Sequence, residues 1–490
     1  MYLGIDVGTS EIKTLLLDDS NKIVAMAGVP LTVQRPRPHF SEQDPESWWR
    51  ALNQAMGLLR TQAGKRWQEL RAIGLSGQMH GAVLLGKHGN VLRPCILWND
   101  TRSASQCELL TQRAPELHQV AGNLAMPGFT APKLLWVAEH EPDVFAQITH
   151  VLLPKDYLRW RMTGEFISDM SDSAGTLWLD VARRDWSDSL LAACGLNRGM
   201  MPRLVEGSEP GGQLKDTVAS EWGMPSNIML AGGGGDNAAS AVGIGAVKTG
   251  DAFISLGTSG VLFVVNDRFR PNPQSAVHAF CHALPQRWHQ MSVMLTAASA
   301  LRWLCNLLNC DEVTLMAEVA QLGAAKRHTA PLFLPYLSGE RTPHNDPYAY
   351  GAFSHLTHDV DRARLGYGVI EGVTFGLMDG LQVLYEAGAE LTECSLVGGG
   401  ARSAIWAQLI ADVLNIPIIT HEGGEAGGAL GAARLAWLVT GGDEQLVCAK
   451  PKERQRYLPD SSQQAFLQQR LQEFRLQYRQ QVEARGMLRS

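Results

Sequence analysis

Leu3-Gly4-Ile5-Asp6-Val7-Gly8-Thr9-Ser10 and Phe253-Ile254-Ser255-Leu256-Gly257-Thr258-Ser259-Gly260 carry the same pattern twice, an apolar run followed by Gly-Thr-Ser. The copies stand half the chain apart. A strand that ends in a tight glycine turn, with hydroxyls and N–H groups exposed, can hold phosphate oxygens. Two such turns in two halves predict a duplicated domain with a nucleotide clamped between the copies.

Working outward, residues 2–7, 12–17 and 23–33 read as apolar strands separated by the Gly-Thr-Ser turn and by the polar cluster Asp18-Asp19-Ser20-Asn21. That order predicts an antiparallel meander. Asp44 suits a helix N-cap and Pro45 the first helical position. Strands and helices then alternate, with strands expected at 71–76, 227–231 and 395–397. The class is α/β, built on mixed sheets with helical crossovers. Val247-Lys248-Thr249-Gly250 is a turn just before the second copy, so the domains are placed at residues 1–246 and 247–490. Leu467, Leu471, Phe474, Tyr478 and Val482 recur at helical spacing, predicting a C-terminal helix docked on the second domain.

Composition narrows the class. The chain has 490 residues, 45% hydrophobic and 19% charged, which is long for one core and ordinary for a globular protein. A net charge of −6 argues against a nucleic-acid or membrane-surface partner. Eight cysteines without a C-x-x-C pair read as reduced thiols of a cytoplasmic enzyme. The start lacks the basic and apolar regions of a targeting peptide, and the apolar stretch 294–308 is too short to span a bilayer.

Three constellations carry chemistry. In the first, Asp6, Gly8, Thr9, Ser10 and Lys13 suit a magnesium–triphosphate site, with the carboxylate on metal and the hydroxyls and N–H groups on phosphate. Lys13 serves as a point charge there or faces solvent on the next strand. The second is Asp236, which follows four glycines. An ionised carboxylate at a cleft mouth can act as general base toward a hydroxyl, although a plain N-cap accounts for the same residue. In the third, Gly398-Gly399-Gly400-Ala401-Arg402 is a glycine cluster at a strand–helix junction that matches neither a dinucleotide fingerprint nor a P-loop. Gln78, Met79 and His80, with Trp98, Asn99 and Asp100, are polar groups able to hold a polyol. His278, His282, His344, His355 and His358 show no metal-ligand spacing.

Strings spread over residues 2–436 tie these features together. They include Ile5-Asp6-Val7-Gly8-Thr9-Ser10, Ser76-Gly77-Gln78-Met79-His80-Gly81 and Leu97-Trp98-Asn99-Asp100. Met126-Pro127-Gly128-Phe129-Thr130-Ala131-Pro132-Lys133, Gly233-Gly234-Gly235-Asp236-Asn237 and Leu337-Ser338-Gly339-Glu340-Arg341-Thr342-Pro343 continue the series. With them the chain resembles the FGGY carbohydrate kinases. The resemblance implies a two-domain actin-like ATPase fold, each domain on a ribonuclease-H-like core, with ATP and sugar in the cleft between them. It implies phosphorylation of D-xylulose at its terminal hydroxyl, with ATP and Mg2+ as partners and, from family habit alone, a homodimer.

Carried over residue by residue, Asp236 is the base and Asp6 organises magnesium and the transferring phosphoryl group, both carboxylates lying at the metal. Met79 and His80 contact the ketose, helped by Asn99, Asp100 and Asn237. Gly257 and Thr258 join Gly8, Thr9, Ser10 and Lys13 at the phosphates, and Gly399, Gly400 and Arg402 take the adenosine side. Departures from the family pattern stand at His355, Arg364 and Gly368, where local packing of the second domain is in question. Open alternatives are a kinase for another ketose, a polyol or gluconate, a non-enzymatic sugar sensor, and a chaperone- or filament-type ATPase.

Overall fold

Three apolar runs, separated by the Gly-Thr-Ser turn and the 18–21 polar cluster, build the expected meander. In this computed structural model, which describes residues 1–422 and 427–487, Tyr2–Val7 (β1), Glu11–Leu17 (β2) and Ile23–Pro30 (β3) pair antiparallel, with Asp6 opposite Lys13. Ala72–Gly77 (β4) lies parallel to β1. Pro210–Gln213 (β5) forms the far edge, beside Met229–Ala231 (β6), and Gly234–Gly235 (β7) pairs with the end of β4. The sheet order is β5-β6-β4-β1-β2-β3.

The second half repeats the plan. Ala252–Leu256 (β8), Gly260–Asn266 (β9), His278–Cys281 (β10) and Trp288–Met294 (β11) are antiparallel neighbours, and Cys394–Val397 (β12) and Ile418–His421 (β13) run parallel to β8. Glu453–Tyr457 (β14) closes an order of β10-β11-β9-β8-β12-β13-β14. Each half is a meander followed by parallel strands, so the ribonuclease-H-like core occurs twice and the pair is actin-like.

The principal helices are Pro45–Ala63 (α1), Thr130–His140 (α2), Pro154–Thr163 (α3), Asp236–Ile244 (α4), Ala298–Leu308 (α5), Arg362–Glu386 (α6), Ala404–Leu414 (α7), Gly427–Val439 (α8) and Gln464–Met487 (α9). Asp44 caps α1 by accepting the Glu46 N–H at 3.0 Å, with Pro45 in the first turn. Along α9, Leu467, Leu471 and Phe474 are buried against the second core, but Val482 is exposed and Gln481 is buried in its neighbourhood. The helical repeat of apolar residues therefore ends one turn earlier than the sequence suggested. Gln481 Nε2 instead donates to the Tyr350 carbonyl (2.9 Å).

Chain order and packing order part company in two places. Helix α8, from the second half, lies across the first sheet. A Cβ on Gly4 would fall 1.9 Å from the Ala429 carbonyl oxygen, one on Gly74 1.8 Å from that of Ala432, and one on Gly431 1.7 Å from that of Ala239. Only glycine permits such backbone approach. The β10–β11 hairpin makes the reverse crossing. Phe280, Cys281 and Met291 share a buried cluster with Phe129, Leu134 and Trp178 of the first half. Asn123 binds the Ala279 backbone through Nδ2 (3.0 Å, to the carbonyl) and Oδ1 (3.2 Å, from the N–H).

The three family departures have local accounts. His355 stands at φ 61, in the left-handed region that glycine favours. Arg364 is buried and pairs with Asp359 at 3.2 Å. Gly368 leaves no room for a side chain, since a Cβ there would lie 2.3 Å from the Pro331 carbonyl oxygen. Among the described residues no helix is long and apolar enough to cross a membrane.

Candidate active site

The parallel strands of the first sheet end in register. Asp6 lies beside Ser76, Ser76 beside Gly234, and Gly77 beside Gly235. The chain passes from β7 straight into α4, so Asp236 emerges next to Asp6 at the carboxyl edge of the sheet, where open α/β sheets bind ligands. Gly235 is the N-cap of α4 and Asp236 its first residue, so capping does not explain the carboxylate. Asp236 Oδ1 accepts the Asn237 N–H (2.7 Å) and Nδ2–H (3.0 Å). Asn237 thus fixes one oxygen, and Oδ2 accepts no hydrogen bond among the described residues.

Burial, and after it the like charge of Asp6, pushes the Asp236 carboxyl up to about 7. Burial also raises Asp6, against a 2.9 Å hydrogen bond from Ser76 Oγ and the positive charge of Lys13. Lys13 is exposed on β2, across from Asp6, and reaches Glu11 at 3.7 Å. Two neighbouring carboxyls, both raised, are the kind of pair that supports proton transfer near neutrality. Magnesium in phosphoryl transfer needs only one or two carboxylates beside substrate phosphates. Asp6 and Asp236 fit that requirement. Among the described residues no three acidic, His or Cys side chains converge as a self-contained metal cage.

The first Gly-Thr-Ser turn is braced from three sides. Thr9 Oγ1 donates to Gln78 Oε1 (3.0 Å) and accepts from Trp98 Nε1 (2.9 Å), and Gln43 Nε2 donates to the Thr9 carbonyl (2.7 Å). The Thr9 hydroxyl proton is therefore engaged within the protein. The Gly8 N–H donates to the Glu11 carbonyl at 3.0 Å, and the Ser10 side chain is exposed. In the second turn the carbonyls of Gly257 and Thr258 are held by the start of α5, from Ala298 N–H (2.8 Å), Ala297 N–H (2.9 Å) and Ser299 Oγ (2.7 Å). Thr258 is left exposed. The third turn sits on the end of β8: Gly398 has φ 90, and a Cβ on Gly400 would meet Leu256 at 2.4 Å. Gly399 and Arg402 are exposed.

Met79 packs against the strand that delivers Asp236, since a Cβ on Gly235 would lie 3.0 Å from its sulfur. His80 follows at φ 72. Its ring Nδ1 bonds the Gly175 carbonyl at 2.7 Å, so Nδ1 carries the proton and Nε2 is an acceptor. Burial lowers the ring to about 3, keeping it neutral. Its carbonyl is gripped by Lys133 Nζ (2.8 Å) and Thr130 Oγ1 (3.1 Å).

Asp100 is engaged within the protein. It is buried, and its oxygens accept from Ser41 N–H (2.6 Å), Arg102 N–H (3.0 Å) and the Arg102 guanidinium (2.6 Å at the shortest). Those bonds tie the 41 and 100–102 segments together. Its neighbour Asn99 has a buried Oδ1 without a partner, free to accept one.

Sequence reasoning gave no role to Lys133, Ser76 or the polar network under Asp236. Buried Lys155 lies 2.7, 2.8 and 3.0 Å from Asp156, Asp169 and Asp172. Asp169 accepts from Ser171 Oγ (2.5 Å), which accepts the Gly235 N–H (3.1 Å). Arg159 Nη1 donates to the carbonyls of Gly211 and Ala231 at 2.8 Å. The strand end that presents Asp236 is thus anchored by buried ions. A lysine inside the apolar stretch 129–137 was the one visible signal, because a charge there needs buried partners.

Comparison with known proteins places this geometry. Residues 1–243 match the N-terminal domain, and residues 252–439 the C-terminal domain, of the FGGY family of carbohydrate kinases. The chain is 52% identical to a xylulose kinase of Escherichia coli (strain K12), covering 98% of this chain and 99% of that one. It is 35% identical to a xylulose kinase of Bacillus subtilis (strain 168), over 91% and 89% of the two chains. A solved xyloylose kinase from Brucella ovis is 49% identical, with a TM-score of 0.96 and coverage of 99% of both chains.

Proposed function

Because this chain belongs to the FGGY family of carbohydrate kinases, we propose that its paired carboxylates and glycine turns carry out phosphoryl transfer from ATP to a sugar alcohol. The sugar is D-xylulose and the products are D-xylulose 5-phosphate and ADP. The observation that carries the assignment of roles is the register of β1, β4 and β7, which sets Asp236 beside Asp6.

Asp236 Oδ2 takes the proton of the terminal hydroxyl as its oxygen attacks the γ-phosphorus, and the P–O bond to ADP breaks. His80 Nε2 accepts a hydrogen bond from a sugar hydroxyl and Asn99 Oδ1 another, so the chain is aligned before attack. Met79 supplies the apolar wall. The Gly8–Ser10 turn and Gly257–Thr258 hold phosphate oxygens, and Gly399, Gly400 and Arg402 line the adenosine side. Asp6, with Asp236 nearby, would hold Mg2+, which would supply charge neutralisation for the transferring group. Such transfer depends on alignment and charge stabilisation more than on covalent work by the protein.

The test is direct. Purified protein with MgATP and D-xylulose should release ADP and yield a 5-phosphate identifiable by phosphorus NMR. ADP release that is indifferent to added ketose, or that prefers glycerol, overturns the reading.

A further inference from the structure

The machinery above leaves one buried-edge cation without a task. Arg341 belongs to the loop 338–343 of the second half. The only hydrogen bond of its guanidinium among the described residues goes from Nη1 to His278 Nε2, at 3.3 Å, and it forms no ion pair there. A guanidinium with several unused donors at a half-buried site is a costly arrangement unless a ligand completes it.

The loop that carries it is held firmly. Thr342 Oγ1 donates to the Ala276 carbonyl (2.9 Å) and accepts the Val293 N–H (3.1 Å). The Glu340 carboxylate accepts the N–H groups of Leu295 (2.9 Å) and Arg341 (2.7 Å). These bonds fasten the loop to the β10–β11 hairpin, which is itself embedded in the first half. His278 then contacts Phe129 edge-on at 5.5 Å, and Phe129 contacts the His80 ring at 4.5 Å. The positive charge of Arg341 acts on His80 and His278, whereas the charge that acts on Asp236 is that of Asp6. Arg341 therefore lies on the His80 side of the site, linked to that ring through His278 and Phe129.

We propose that Arg341 is a substrate-binding residue that recognises the ketone end of the sugar, its guanidinium donating to the C2 carbonyl oxygen. This rests on the reading above, in which the opposite, terminal hydroxyl meets Asp236. A planar donor fork matches the two in-plane lone pairs of a carbonyl oxygen. The tetrahedral C2–OH of a polyol offers it a poorer fit. The second half thereby reads the substrate, which the first half alone was expected to do.

Arg341→Met and Arg341→Lys, assayed with D-xylulose and with D-arabitol, a pentitol obtained by reducing that ketone, test the idea. Arg341→Met should raise KM for D-xylulose by about 10- to 100-fold, the range for a hydrogen bond from a charged donor, with kcat within about threefold. KM for D-arabitol should move by less than about threefold, and Arg341→Lys should recover part of the loss. Equal losses on both sugars, or a fall in kcat at unchanged KM, overturn the proposal. If Arg341→Met does not fold, Arg341→Lys decides alone, through a lower ketose-to-pentitol ratio of kcat/KM. An unchanged ratio refutes it. Wild-type turnover of D-xylulose tests the underlying reading independently of either variant.

Discussion

The carboxylate that begins α4 should set the acid limb of the reaction. Asp236 is pushed up to about 7 by burial and by Asp6, so only about a tenth of it is ionised at pH 6 and about nine-tenths at pH 8. As the base it must be ionised, so kcat/KM should rise about tenfold between those values and then level off. The profile should be taken from pH 5.5 to 9 at subsaturating MgATP, where it reports the free enzyme. Ser76→Ala offers a linked perturbation. It removes the 2.9 Å hydrogen bond that favours ionised Asp6, so Asp6 keeps its proton to higher pH. The repulsion on Asp236 then falls, and the limb should move toward lower pH. Asp236→Asn should lower kcat by about 10²–10⁴-fold and abolish the limb. A level wild-type profile below pH 7, or an unchanged limb in Asp236→Asn, refutes the assignment of the base.

Other expectations concern the frame around it. Gly431→Ala places a methyl group 1.7 Å from the Ala239 carbonyl oxygen, on backbone that cannot turn aside. It should destabilise the protein by about 1–3 kcal/mol or more, read as a lower denaturant midpoint; a midpoint equal to wild type contradicts the close approach. Lys155→Met strands Asp156, Asp169 and Asp172 without their common cation. A loss of about 3–5 kcal/mol is expected, and restoration of the midpoint by Lys155→Arg but not by Lys155→Gln would mark charge rather than volume as the cause. Glu340 is buried, with one oxygen unpartnered, and its carboxyl is pushed up from 4.5 to about 8. A group raised in the folded state contributes stability that is complete below its unfolded value and is lost as pH climbs to the folded one. Relative to Glu340→Gln, the wild type should therefore lose stability from pH 5 to 8, by at most about 1.4 kcal/mol per pH unit, and the difference should flatten above 8. A difference independent of pH contradicts the shift.

Legibility followed locality. The β1–β3 meander and the Asp44–Pro45 cap were readable because apolar runs, polar turns and capping are set by neighbours in sequence. Asp236 was readable as a strand-end carboxylate because the glycines before it mark a close approach. Its tie to Asp6 required the register of β4, which no local pattern encodes. The engagement of Asp100 with Arg102 was hidden for another reason: adjacent charges look alike whether they face each other or a ligand. Likewise Val482 continued a helical repeat that in the folded chain had already left the core. The grip of Lys133 on His80 joins residues 53 positions apart and follows only from the tertiary arrangement.

The path of α8 bears on how the protein could be cut or rearranged. Its glycine and alanine face lies on β1, β4 and α4, while the strand that precedes it, β13, belongs to the other sheet. A fragment ending near residue 246 would expose the bare floor of β1 and β4, and its complement would carry a sticky Gly-Ala ribbon with nothing to cover.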